Sequence, residues 1–243
     1  MLQKDASGMY KSSLFSDIDN LVHGFSSRSL GDGRTEVGKN AICDALFVGK
    51  KNILQSKQIH GVTVKVVSDT SELVTPDADG LVAQADYDVA LGVRTADCTP
   101  ILLVDPVAHI TAAVHAGWKG SAGEIVKHAV DTMIEKGAIA TNIRATIGPH
   151  IGMCCYNVDA IRAKIFSDKY PNDHKVISRF GDTWHLDIGW VNYLQLRESG
   201  ISAKNIDAPI TCTSCQIQEF YSYRKDTKES FGEMLGIIGW KTV

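Results

Sequence analysis

The residues with the most chemistry in them are a thiol and an imidazole at either end of one short segment, Arg94 to Gly120 (RTADCTPILLVDPVAHITAAVHAGWKG). Two apolar runs flank an Asp105-Pro106 turn signal, the pattern of a β-hairpin. Cys98 precedes the first run and His115 closes the second. A four-residue loop, Asp105 to Ala108, pairs Val104 with His109 and sets Cys98 directly opposite His115. Opposed side chains share a face with Cβ atoms about 5 Å apart. At that distance the two groups can share a metal ion or act as nucleophile and base. A loop one residue longer moves them to opposite faces.

A third group joins them on paper. His60 sits beside Gly61 in Gln58-Ile59-His60-Gly61, between β-like runs at Asn52–Gln58 and Val62–Val67, which predicts a hairpin tip. Alone, His60 reads as an exposed turn histidine. With Cys98 and His115 it completes a one-thiolate, two-imidazole set that leaves a fourth tetrahedral position for water, the pattern of a catalytic zinc. The three lie on separate segments, so the fold has to bring them together.

Two further sites suit an anion. His115-Ala116-Gly117-Trp118-Lys119-Gly120-Ser121 is glycine-rich and leads into a helix start, where free N–H groups and the Lys119 charge favour phosphate. A tight strand-to-helix turn is the plainer reading. Phe220 to Asp226 (FYSYRKD) reads as a strand with Phe220, Ser222 and Arg224 on one face. Arg224 there is either a clamp for phosphate or carboxylate, or a surface ion-pair residue. The remaining thiols look structural. Cys154 and Cys155 are adjacent in a turn, and Cys212 and Cys215 form a C-x-x-C with no second C-x-x-C to complete a zinc knuckle.

The elements that must position these groups alternate irregularly. Lys39 to Val48 reads as a short helix, and Val82 to Val93 contains a strand leading to Arg94. The clearest helix is Ala122 to Lys136, with Ile125, Val126, Ala129, Val130 and Met133 on one face. Ser121 and Glu124 suggest its capping box, and Gly137 its stop. Ile143 to Ile147 reads as a strand, Asp159 to Phe166 and Ile188 to Glu198 as helices, and Leu235 to Trp240 as a closing strand. Hairpins with few clean βαβ units favour an α+β class of packed mixed sheets flanked by helices, in one domain over 1–243.

Composition narrows the function classes. Twenty-five Lys and Arg against 28 Asp and Glu give a net charge of −3, with no basic block of the kind that tracks nucleic acid. The longest apolar run is far too short to span a bilayer. The first residues lack the apolar core of a secretory signal, so a cytoplasmic enzyme with reduced thiols is the expectation.

Six motifs in order (KQIHG at Lys57–Gly61, ADG at Ala78–Gly80, RTADCTPILLVDP at Arg94–Pro106, HAGWKG at His115–Gly120, IGPHIGMCCYNV at Ile147–Val158, FYSYRKD at Phe220–Asp226) resemble the bacterial purine nucleoside phosphorylase family long labelled polyphenol-oxidase or laccase-domain proteins. The resemblance implies a zinc site at His60, Cys98 and His115. It also implies phosphorolysis of adenosine, inosine and methylthioadenosine, adenosine deamination, and an α+β fold related to cysteine deamidase toxins. Some relatives are described as editing a peptidoglycan precursor, which makes a metal-free Cys98–His115 amidase the alternative, with an inactive binding paralogue as a third reading. The chain departs from the family in a shortened segment after Gly31-Asp32-Gly33, in His150 where cysteine is usual, and in Gly232-Glu233 where the family carries Gly-Arg. Eight histidines without one H-x-H pair argue against a multicopper centre. Copper at the three-residue set is then adventitious, since copper outcompetes zinc on raw affinity.

Overall fold

The computed structural model describes residues 1–46, 53–67, 77–85 and 89–241. The class is α+β. One six-stranded sheet runs β1 (Leu2–Lys4), β2 (Met9–Ser12), β3 (Leu21–Ser26), β15 (Met234–Trp240), β7 (Ala90–Thr95) and β4 (Ile53–Gln55). A second runs β14 (Ile206–Asp207), β10 (Arg144–Ile147), β8 (Thr99–Asp105), β9 (Ile110–Ala116), β6 (Gly80–Gln84) and β5 (Val64–Val67). A small third sheet holds β11 (Asn157–Val158), β13 (Thr183–Leu186) and β12 (Ile177–Phe180). Around them pack α1 (Glu36–Leu46), α2 (Trp118–Ala122), α3 (Ile125–Glu135), α4 (Ala160–Lys169) and α5 (Ile188–Glu198).

Period-2 alternation explains how the two large sheets stack. Along β8, Ile101 and Leu103 join the core against α3, while Leu102 and Val104 join the core between the sheets. Along β9, Ile110, Ala112 and Val114 face α3 and Ala113 faces the other sheet. Both strands are buried on both faces, which is why they read as continuous apolar runs rather than alternating ones. Each fully buried Leu or Ile contributes about 1.5–3 kcal/mol through removal from water. A separate cluster of Ile42, Leu46, Leu235 and Ile237 fixes α1 on the outer face of the first sheet.

The hairpin forms, shifted by one residue from expectation. Asp105 pairs with Ile110, and the loop is Pro106 to His109. The Asp105 carboxylate explains the shift: Oδ1 accepts from the Val107 and Ala108 amides at 2.9 and 3.0 Å, so the turn begins after Asp105. His115 therefore faces Pro100, not Cys98. The offset is an even number of pairing steps, so Cys98 and His115 keep the same face and meet diagonally.

Other expectations need correction. The runs around His60 do not pair with each other: β4 lies parallel to β7 in the first sheet and β5 parallel to β6 in the second. The Val82–Val93 region holds parts of two strands, β6 and β7, one in each sheet. The capping box is not made. Ser121 lies inside α2 with its hydroxyl against Asn192, and Glu124 takes a left-handed conformation (φ 64°) that breaks the chain between α2 and α3. The Glu124 carboxylate is drawn instead to Lys127 and Lys169 at 2.7 and 3.0 Å. Residues 220–226 form turns rather than a strand. The forecast ends at Val48 and Asn52 fall outside the described residues. No described helix is long and apolar enough to cross a membrane.

Candidate active site

Two of the three residues lie on passages where the chain crosses between the two large sheets. His60 lies on the passage from β4 to β5, and Cys98 on the passage from β7 to β8. His115 stands near the end of β9, and its amide donates at 2.7 Å to the carbonyl of Asp79, the residue just before β6. One ligand atom from each of His60, Cys98 and His115 falls within 4.8 Å of the others. The two imidazoles meet edge to face, with centroids 4.7 Å apart.

Asp79, which sequence reasoning quoted only as part of a motif, organises this set. It is fully buried, and its Oδ1 lies 2.8 Å from His115 Nδ1. The same carboxylate accepts from the amides of His60 (2.9 Å), Gly61 (2.7 Å) and Ile59 (3.3 Å). These amides hold His60 in a left-handed conformation, φ 57°, a position most side chains disfavour. A second tie comes from Gln58, whose side-chain amide exchanges two 2.8 Å bonds with the Arg94 backbone and so joins the His60 segment to the Cys98 segment. Gly117 completes the packing: a Cβ there would come within 3.1 Å of His60 Cδ2 and 3.3 Å of Cys98 Sγ.

Asp97 holds the other side of Cys98. It adopts φ 83° and accepts from Thr213 Oγ1 (2.6 Å) and from the Arg224 amide (2.8 Å). Two distant segments are thereby fastened to the residue beside the thiol.

Electrostatics push the thiol and imidazole toward charge. Burial works to raise the Cys98 thiol, but hydrogen bonds and charge from His115 and His60 overcome it and bring its pKa down to about 7. Burial works to lower His115, yet Asp79 and Cys98 outweigh it and raise its pKa to about 9. Asp79 itself is held below the usual carboxylate range: its own burial works against this, and His115 and the amides prevail.

The donor chemistry fits zinc. Two imidazoles and one thiolate make a borderline-soft set, and Asp79 on Nδ1 leaves His115 Nε2 for the metal while fixing the ring. That carboxylate–histidine pairing recurs behind metal-ligating histidines.

The set opens into a cavity of about 550 Å³. Aromatic walls come from Trp118, Tyr156, Tyr223 and Phe231, and positive charge from Arg94, Arg162 and Arg224. Arg162 lies over the Trp118 ring (4.2 Å) with its Nε buried and lacking a hydrogen-bond partner. Arg224 lies 5.1 Å from the Tyr156 ring centroid and donates to Asn157 Oδ1 at 2.7 Å. Glu233 also lines the cavity, 3.4 Å from Arg94 Nε.

Of the two residues expected to hold an anion, the structure sets Arg224 on this wall. Lys119 is exposed, 5.8 Å from the Trp118 ring centroid, and is not among the lining residues. The reason is local: α2 has only five residues and directs Lys119 outward. Arg162 was missed because it sits in a helix of weak amphipathicity whose charged residues all look solvated.

Comparison with known proteins places the chain in a family. A family model described as multi-copper polyphenol oxidoreductase laccase matches residues 20–241. Purine nucleoside phosphorylase YlmD of Geobacillus stearothermophilus is 32% identical over 223 residues, covering 86% of this chain and 81% of the relative. Adenosine deaminase RL5 from an unknown prokaryotic organism is 32% identical over 190 residues, covering 74% and 72%. The crystal structure of the Geobacillus YlmD superposes with a TM-score of 0.85 at 26% identity over 99% of both chains. With nearly its whole length matched, the chain belongs to the multi-copper polyphenol oxidoreductase laccase family.

Proposed function

We propose that this chain is a zinc-dependent purine nucleoside enzyme, carrying out phosphorolysis of adenosine, inosine and methylthioadenosine together with adenosine deamination. The observation that carries the reading is the convergence of His60, Cys98 and His115 on a cavity that has both aromatic faces and guanidinium groups. The relatives named as a phosphorylase and a deaminase support the substrate class.

Each part of the wall has a task in that chemistry. Trp118, Tyr156, Tyr223 and Phe231 offer flat surfaces for a purine. Arg162 and Arg224 hold phosphate near the ribose, where its oxygen attacks the anomeric carbon as the bond to the purine nitrogen breaks. Bound zinc supplies a Lewis acid and a means of lowering the pKa of water at neutral pH. Asp79 keeps His115 in one tautomer and orientation, and Gly117 keeps the approach to the three side chains clear.

A second reading is favoured by one specific observation: Asp79, His115 and Cys98 form an acid–imidazole–thiol chain whose charges match an activated cysteine nucleophile. A metal-free amidase would use that chain. His60, with a ring nitrogen within 4.8 Å of the Cys98 sulfur, is a second imidazole that such an amidase does not need.

Turnover of a purine nucleoside panel, with and without phosphate and with and without chelator, separates the two. Phosphate-dependent release of free base that chelator abolishes supports the proposal. Amide hydrolysis by metal-free protein, with no purine turnover, overturns it.

A further inference from the structure

The fold gathers four more thiols at a place remote in sequence from the first three. Cys154 and Cys155 sit in the turn after Gly152, and Cys212 and Cys215 in the loop after β14. All four sulfurs lie within 4.8 Å of one another. Cys215 is 3.5 Å from Cys154 and 3.4 Å from Cys155, sulfur to sulfur. A disulfide requires about 2.05 Å. A tetrahedron of thiolates around zinc, with Zn–S of about 2.3 Å, has edges of about 3.8 Å. The cluster has the dimensions of the tetrahedron.

We propose that Cys154, Cys155, Cys212 and Cys215 form a structural zinc site of four thiolates, separate from the His60–Cys98–His115 set.

Local structure accounts for each half. Adjacent residues in a strand point to opposite faces, but here the Cys155 and Tyr156 amides both donate to the Gly152 carbonyl at 3.0 Å, and the tight turn sends both thiols to one side. Gly152 gives the cluster room: a Cβ on it would lie 3.3 Å from Cys212 Cβ and 3.4 Å from Cys154 Sγ. A parallel bridge aligns the halves, with His150 N on Thr211 O (3.1 Å) and Thr213 N on His150 O (3.0 Å). Four thiolates and no imidazole or carboxylate suit a closed, non-catalytic site. Cys154 and Cys215 are exposed, so an ion has a path of entry.

Its place in the fold gives the site a purpose. One half is continuous with Ile151 and Tyr156, which line the cavity, and the other with Thr213, which holds Asp97 beside Cys98. The ion would clamp two segments of the active-site wall together.

Full-length protein purified without a metal-affinity tag tests this by elemental analysis. Native protein is expected to carry two zinc ions per chain, the Cys98→Ala variant one, and Cys98→Ala with Cys212→Ser and Cys215→Ser none. If the triple variant fails to fold, the Cys98→Ala protein decides the matter alone, since it retains all four cysteines. Loaded with cobalt, it should take up one equivalent with the intense thiolate-to-cobalt charge-transfer band and tetrahedral d–d bands, both bleached by zinc. Folded Cys98→Ala protein that holds no zinc and gives no such band overturns the proposal, as does non-reducing mass spectrometry that finds these cysteines as disulfides.

Discussion

Asp79 Oδ1 and His115 Nδ1 are 2.8 Å apart in surroundings where the two side chains are 0% and 2% exposed. A carboxylate so enclosed needs partners for both oxygens, and it takes them from the backbone amides of the second histidine, His60, and of Gly61 after it. One residue thus sets the tautomer of His115 and the position of His60.

Asp79→Asn should therefore weaken zinc affinity about 10- to 100-fold, the usual cost of losing the group that orients a ligating histidine. Competition against a chromophoric chelator measures it. Unchanged affinity in a folded variant would show that Asp79 serves packing alone.

The pH dependence follows from the two shifts. His115, raised from 6.5 to about 9, stabilises the metal-free fold fully below 6.5, and that contribution is lost as pH rises through about 9. Cys98, lowered from 9.0 to about 7, contributes stability present above 9 and lost as pH falls through about 7. Between about 7 and about 9 the metal-free pair is thiolate and imidazolium. Zinc needs thiolate and neutral imidazole, so loading this site at about pH 8, in protein whose four-cysteine cluster is removed by Cys212→Ser and Cys215→Ser, should release roughly one proton, that of His115. Calorimetric titration in buffers of different ionisation heat reads this directly, and zero proton release contradicts the assignment.

Anion binding should divide sharply among the three cations. Arg162→Ala and Arg224→Ala each remove a charge-assisted contact of about 1.5–3 kcal/mol, seen as a KM for phosphate raised roughly 10- to 150-fold. Lys119→Ala should change it by less than about twofold, as expected of an exposed charge away from the cavity. The reverse ranking would return the phosphate site to the Gly117–Gly120 loop.

Glu233 offsets Arg94 at the cavity wall, both being partly exposed. Glu233→Gln frees that guanidinium. At about 0.2–1 kcal/mol for such a pair, KM for phosphate should fall roughly 1.4- to 5-fold. A rise instead would mean that the carboxylate itself contacts the substrate.

What was legible in the sequence was mostly local. The hairpin could be read because Cys98, just before β8, and His115, in β9, flank one hairpin whose parity survived the shift in the loop. α5 could be read because Ile188 to Glu198 carries its own cap, Asp187, and its own stop, Gly200. The α+β class followed from the irregular alternation of elements. The rest depends on contacts between distant segments. His60 looked like a hairpin tip because the runs flanking it are β-like, and nothing local says that they belong to different sheets. Asp79 and Arg162 gain their surroundings only when the sheets stack and α4 docks. The four clustered thiols read as two separate structural pairs because two adjacent cysteines do not resemble half of a metal site until a turn aligns them.

The central claim is that His60, Cys98 and His115 hold the metal on which purine turnover depends. Zinc content and phosphate-dependent nucleoside cleavage, measured on the same preparations of native and Cys98→Ala protein, test it most directly. The account predicts that the variant loses one equivalent of zinc and its turnover together, with its fold intact. Unchanged zinc in the variant, or full turnover without that ion, would contradict it.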